Sequence, residues 1–193
     1  MSSASDPHRN PWQTQATRIP FENRWIRVVQ NDVLNPSGRP GEYTFVHFKF
    51  RAVAVVPLDE ELHTWLVGQF RYATNSYQWE IPAGGCPENE TPRQTAEREL
   101  QEETGLVASR WEPIFQDLQM SNSITDEVAH AFLARHLAQA AANPEETEAL
   151  ALRRLSLDEA VRMALAGEIQ DAFSVMTLMM LQLRIATGSI VIS

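Results

Sequence analysis

Between Gly84 and Leu106 the chain sets glycine, carboxylate and guanidinium at intervals that suit a metal site: Gly84, five residues, Glu90, seven residues, then Arg98-Glu99-Leu100-Gln101-Glu102-Glu103-Thr104-Gly105-Leu106. At about 100° of rotation per helical residue, Glu99 and Glu103 fall almost on top of one another, with Glu102 to one side and the apolar Ala96 and Leu100 on the other. Like charges three and four residues apart destabilise a helix, and do so more strongly when half buried, so this row of carboxylates requires a compensating cation. Hard oxygen donors select Mg²⁺ or Mn²⁺ over Zn²⁺. Arg98 points partly back along the helix, where an ion pair with Glu90 would fix the loop from Gly84 to Glu90. Gly84 and Gly85 are expected to let that loop turn sharply and offer carbonyl oxygens to the same ions.

The elements that must hold these groups are legible around them. Thr91 is a good N-cap, Pro92 falls at the first helical position, and Gln94 completes a capping box, so a helix starts here. Ahead of it, alternating stretches from Arg18 to Ile19, Trp25 to Val33 and Tyr43 to Phe50, with turn chemistry at Asn35-Pro36-Ser37-Gly38, predict an antiparallel sheet. Ala52 to Val56 reads as a strand buried on both faces, followed by strands at Trp65 to Tyr72 and Tyr77 to Ile81. After the helix come strands at Ala108 to Gln116 and Glu127 to Ala134, a flexible connection from Arg135 to Glu148, and a strand from Ala149 to Leu155. Ser156, with Glu159 as capping-box partner, opens a second helix ended by Gly167, and Asp171 caps a third. Strands flanked by helices give an α/β class.

Composition narrows the function classes. With 193 residues, 44% of them hydrophobic, the chain can bury a full core. The division expected is residues 1–15 as a disordered tail, 16–50 as the N-terminal antiparallel sheet, and 51–193 as the main domain. Cys86 is the only cysteine, so no disulfide framework exists. The polar start of the chain has no apolar signal core, and the apolar stretch from Val175 to Ile185 is too short for a bilayer, so a cytoplasmic protein with no membrane partner is expected. A net charge of −9 argues against binding nucleic-acid polymers, though bound cations would still admit a small anionic substrate.

The spacing from Gly84 to Leu106 resembles, at every position, the signature of the Nudix hydrolases, G-x5-E-x7-R-E-(aliphatic)-x-E-E-x-G-(aliphatic), in which Gly84, Glu90, Arg98 and Gly105 are the structural members. Gln69-Phe70-Arg71, the run Trp79-Glu80-Ile81-Pro82-Ala83-Gly84 and the segment from Ala166 to Ala172 are similar to the branch containing ADP-ribose and nucleoside-diphosphate-sugar diphosphatases. The resemblance implies an α/β/α sandwich with a mixed sheet, preceded by a small N-terminal antiparallel sheet that serves as the dimerisation element of a homodimer. One departure stands out. Ser121-Asn122-Ser123-Ile124-Thr125-Asp126-Glu127 lacks the proline usual in ADP-ribose diphosphatases, which favours nucleoside diphosphate sugars as a class, ADP-ribose included.

The implied reaction is attack of water on one phosphorus of a nucleotide diphosphate, giving a nucleoside monophosphate and a sugar phosphate, with Mg²⁺ (or Mn²⁺) as cofactor. Glu99 and Glu103 are the first candidate ligands, with Glu102 and the Ala83 carbonyl next. Arg71 suits a diphosphate contact, Glu80 the orientation of substrate or metal-bound water, and Trp25 or Trp79 a stack on the base. For the general base, similarity to ADP-ribose diphosphatases points to Glu146, with Glu148 two residues on and Glu102 or Glu127 as fallbacks. Nucleoside triphosphates or dinucleoside polyphosphates are alternative substrates. A nucleotide-sensing module without catalysis is the alternative from another class, opposed by the intact set of acids.

Overall fold

The computed structural model describes residues 8–140 and 150–192, which form two compact units. The smaller comprises residues 8–49 together with Ser121–Glu127. Its strands β1 (Gln13–Glu22), β2 (Ile26–Leu34) and β3 (Pro40–Phe48) make an antiparallel sheet in the order β1-β2-β3. The strand starts at Gln13, three residues inside the stretch expected to be tail, because Gln13 and Thr14 pair with Leu34 and Val33. Asn35 builds the expected turn: its side-chain oxygen accepts from the Ser37 and Arg39 amides, and Gly38 takes a φ of 75°.

Ser121–Glu127 extends this sheet along the free edge of β3. Thr125 bridges Val46 in parallel, the Val46 amide donates to the Ile124 carbonyl (2.9 Å), and the Phe48 amide donates to Asp126 Oδ1 (3.0 Å). His47 Nδ1 lies 2.6 Å from Asp126 Oδ2, and the Tyr43 hydroxyl donates to the Ser123 carbonyl (2.7 Å). The larger unit is therefore interrupted in sequence, and the segment expected as a polar loop near the site is held by backbone and side-chain bonds to β3.

The larger unit holds β4 (Arg51–Pro57), β5 (His63–Arg71), β6 (Ser76–Glu80), β7 (Ala83–Cys86), α1 (Pro92–Thr104), β8 (Leu106–Gln119), β9 (Val128–Gln139), β10 (Ala151–Ser156), α2 (Leu157–Ala166) and α3 (Ala172–Ala186). One mixed sheet runs β7-β4-β9-β8, parallel between β4 and β9 and antiparallel elsewhere; a second, antiparallel, runs β10-β5-β6. Alternate residues of β4 and β9 face opposite layers. Val53, Val55, Phe132 and Ala134 pack on Ala96 and Leu100 of α1, while Ala54, Val56, Ala131 and Leu133 share a core with Ala160 of α2 and Leu178 and Leu181 of α3. This is the expected α/β/α arrangement. Among the described residues, no helix is long and apolar enough to cross a membrane.

Two local expectations change. β9 continues to Gln139, so the connection expected from Arg135 starts later; Leu137 and Ala138 still pair with Ala108 and Val107. Ser156 caps α2 by accepting from the Glu159 amide, but the Glu159 carboxylate is turned away to Arg153 (2.6 Å), so the reciprocal half of the box is missing.

His130 on β9 is only 4% exposed, and among the described residues neither ring nitrogen has a hydrogen-bond partner. Burial lowers its pKa, Arg51 acts in the same direction, and the Asp117 carboxylate, 3.7 Å from Nε2, offsets them only in part. The unfolded chain thus binds the proton more readily. Stability contributed by neutral His130 is fully present above about pH 6.5 and is lost as pH falls toward the lower folded-state value. The fall in Tm between pH 7.5 and 5.5 should accordingly be shallower in His130→Gln than in the parent; identical slopes by calorimetry would contradict this origin.

Candidate functional site

The helix that carries the acids begins as its sequence requires. Thr91 accepts from the Gln94 amide while Gln94 returns a bond to the Thr91 amide, Pro92 opens the first turn, and Gly105 ends the helix at φ 68° with its amide on the Gln101 carbonyl. Thr95, Ala96 and Leu100 are fully buried, which turns the row of Glu99 and Glu103 toward β7.

β7 was expected to be a loop. Instead Ala83–Cys86 pairs antiparallel with Arg51 to Ala54, and neither Gly84 nor Gly85 has a positive φ. The requirement at Gly84 is space. A β-carbon there would lie 1.9 Å from Glu99 Oε1 and 2.2 Å from its carboxyl carbon, so the acid occupies the volume any side chain would need. One residue earlier, the Ala83 amide donates to Glu103 Oε2 (3.0 Å), a carboxylate only 4% exposed. Backbone and helix are thereby held together at two successive residues.

Arg98 is the counter-ion of the cluster. Its Nε reaches Glu90 Oε1 at 3.2 Å, its Nη1 donates to Glu99 (2.7 Å) and Glu102 (2.9 Å), and its Nη2 donates to the Gly85 carbonyl (3.2 Å). Burial alone would lower the Arg98 pKa, but the bond to Glu90 and the charge of Glu99 outweigh it and raise the value. Glu90 is held below the usual carboxylate range by the Thr95 hydroxyl, 2.7 Å away, and then by Arg98. The expected pairing of Arg98 with Glu90 is present, and the same guanidinium also spans two of the candidate metal ligands. Three carboxylates, Glu90, Glu99 and Glu102, surround this one cation, and a fourth, Glu103, stands on the same helix against the Ala83 amide. That excess negative charge, in an all-oxygen setting, fits a divalent metal ion.

The other expected residues are distributed unevenly. Arg71 and Glu80 form a two-pronged pair: Nε lies 2.8 Å from Oε1, and Nη2 bonds Oε2. The bond to Glu80 raises the Arg71 pKa, and Glu103 and Asp171 contribute from further away. Trp25 belongs to the smaller unit, 53% exposed, with the Arg24 guanidinium 4.1 Å above its ring. Glu146 and Glu148 lie outside the described residues. Beside Arg71, a cavity of about 470 Å³ is lined by Thr74, Gln78, Glu80, Gln170 and Asp171. Gln78 and Gln170 were missed by sequence reasoning, although the two-residue step from Gln78 to Glu80 on β6 puts both on one face. Another group close enough to share an ion, Asp59, Glu61 and His63, is already occupied: Arg154 donates to Asp59 Oδ2 (2.6 Å) and Glu61 Oε2 (2.7 Å).

Removing Arg98 leaves a half-buried group of like charges. Arg98→Ala should reduce the free energy of unfolding by roughly 1–3 kcal/mol, between the values for exposed and fully buried pairs. Urea denaturation measures this, and an unchanged midpoint would show that the pairing contributes nothing to stability.

Comparison with known proteins agrees with this architecture. The model of the NUDIX domain matches residues 48–176. The chain is 33% identical over 174 residues to a methanol dehydrogenase activator of Bacillus methanolicus, covering 89% of this chain and 93% of that one. It is 32% identical over 166 residues to an ADP-ribose pyrophosphatase of Bacillus subtilis (strain 168), covering 85% and 89%. A crystal structure of an ADP compounds hydrolase superposes with a TM-score of 0.83 at 21% identity, over 93% of this chain and 97% of the other, and so shares its fold. With a full signature from Gly84 to Leu106, the space at Gly84 filled by the Glu99 carboxylate and a family model matching residues 48–176, the chain belongs to the NUDIX family of hydrolases.

Proposed function

We propose that the protein hydrolyses the diphosphate bond of nucleoside diphosphate sugars, ADP-ribose among them, to a nucleoside monophosphate and a sugar phosphate. The observation that carries this reading is the approach of Glu99 to Gly84, which sets a carboxylate directly on the β7 backbone beside buried Glu103. Relatives named ADP-ribose pyrophosphatase and ADP-sugar pyrophosphatase support the substrate class.

Glu99, Glu103, Glu102 and the Ala83 carbonyl would hold Mg²⁺ or Mn²⁺, which when bound acidifies water and neutralises diphosphate charge. Arg98 keeps the acids from repelling one another and orients Glu99 and Glu102. Arg71, whose Nη1 carries no hydrogen bond among the described residues, meets a phosphate oxygen while Glu80 fixes the plane of its guanidinium. Glu146, or Glu148, takes the proton from the attacking water. In the smaller unit the half-exposed Ile19, Phe21 and Trp25 supply an apolar surface for a second copy of the chain, giving a homodimer. The expected setting is the cytoplasm.

Assays of ADP-ribose and other nucleotide sugars, with Mg²⁺ or with chelator and in ¹⁸O-labelled water, test the reading. Glu99→Gln and Glu103→Gln should abolish metal-dependent turnover. Gly84→Ala should lower it about 10²-fold by displacing Glu99, and Glu146→Gln should lower kcat about 10²-fold at little change in KM. Normal turnover in either Glu99→Gln or Glu103→Gln would sink the metal assignment. Normal turnover in Glu146→Gln and Glu148→Gln would move the base to Glu102 or Glu127. Sedimentation at micromolar concentration should give a dimer, and a monomer would refute the assembly.

A further inference from the structure

The cavity beside Arg71 has a chemical character of its own. Its floor is Gln78 and Glu80, 8% and 5% exposed, projecting from the same face of β6. Gln78 Nε2 donates to the Ser76 hydroxyl (2.7 Å) and lies 3.4 Å from Gln170 Oε1, so the two amides lean together across the gap between β6 and the start of α3. Thr74 stands on the rim, its hydroxyl 2.9 Å from that of Ser76. Asp171 uses Oδ2 to cap α3, accepting from the amide and hydroxyl of Ser174 at 2.7 Å each, and among the described residues its other oxygen forms no hydrogen bond. Apart from Ala73 and Ala172, the described lining consists of amides, a hydroxyl, carboxylates and the Arg71 guanidinium.

Among the described residues no aromatic ring lines this cavity. The aromatic residues of β6, Tyr77 and Trp79, project from the opposite face, in edge-to-face contact at 5.7 Å and pressed over Gly68, where a β-carbon would lie 2.3 Å from the Tyr77 hydroxyl. A nucleobase needs a flat surface on which to stack, and a triphosphate or a second nucleotide needs further cations. Among the described residues Arg71 is the only cation lining the cavity, and two of its nitrogens are committed to Glu80. A ring bearing several hydroxyls needs what is present: amides that donate and accept and carboxylates that accept, at short spacing, with a guanidinium at the end where its phosphate is attached.

We propose that this cavity is the subsite for the sugar half of the substrate, with Gln78, Gln170, Thr74 and Asp171 binding its hydroxyls and Arg71 the adjoining phosphate. This deepens the proposed diphosphatase activity and rests on it. It also gives that activity a direction of selectivity: diphosphates ending in a polyhydroxylated sugar over those ending in a simple alcohol.

The test compares ADP-ribose with the ethyl ester of ADP, which keeps the nucleotide and both phosphates and lacks the second sugar. The parent should prefer ADP-ribose in kcat/KM. Thr74→Val and Gln170→Ala alter exposed side chains, so melting temperatures should match the parent, and each should reduce that preference about 3- to 10-fold, mainly through KM for ADP-ribose, as expected for one hydrogen bond. A preference that stays within twofold of the parent's in both variants, while cleavage continues, would overturn the sugar subsite and leave the diphosphatase reading standing. Failure of the parent to cleave either compound with Mg²⁺ would overturn the activity and the subsite with it.

Discussion

A single guanidinium keeps the acidic face of α1 in being. Glu99, Glu102 and Glu103 sit within one turn of a helix whose other face is buried, and carboxylates in that setting repel one another and resist desolvation. Arg98 answers both problems from inside the cluster, touching Glu90, Glu99, Glu102 and the Gly85 carbonyl at once. It lies on the same helix as the acids, so the distances are set by helical geometry rather than by packing of distant elements. Through Glu90 and Gly85 it also ties the helix to the strand before it. Site and scaffold are here the same set of contacts, which limits how far either can vary independently.

Much of this was legible because the chemistry is local. The cap at Thr91, the stripe of Ala96 and Leu100, and the row of acids all follow from spacing along one helix, and the pair of Arg98 with Glu90 follows from charge across a short loop. What sequence could not give were contacts between residues far apart in the chain. Gly84 looks like a turn residue by type, yet its role is to leave room for Glu99. Glu80 is one step from an apolar strand end and gives no hint that it closes on Arg71 nine positions earlier. Gln78 and Gln170 meet across ninety-two positions, and only the packing of α3 beside β6 brings them together. Propensity and periodicity carry no information at that range.

β6 shows how a strand of five residues can present two surfaces of different chemistry. Its period of two sends Gln78 and Glu80 to a polar cavity and Tyr77 and Trp79 to an aromatic cluster over Gly68. A register slip of one residue would exchange the two faces, placing rings where amides stand. The pairing of β6 with β5, from Val67 with Glu80 to Arg71 with Ser76, therefore specifies the chemistry of the cavity as well as the fold.

The attachment of Ser121–Glu127 to β3 has a consequence for how this chain can be rearranged in evolution. The backbone passes from one unit to the other after Lys49, returns after Met120 and leaves again after Glu127. A module joined by one peptide bond can be shuffled by a single recombination event, but one joined by three cannot: exchange of the first fifty residues alone would leave Thr125 and Asp126 facing a foreign β3, without the partners they have in Val46, His47 and Phe48. The N-terminal sheet and the segment between β8 and β9 are bound to a common inheritance, and change in one of them selects for compensating change in the other.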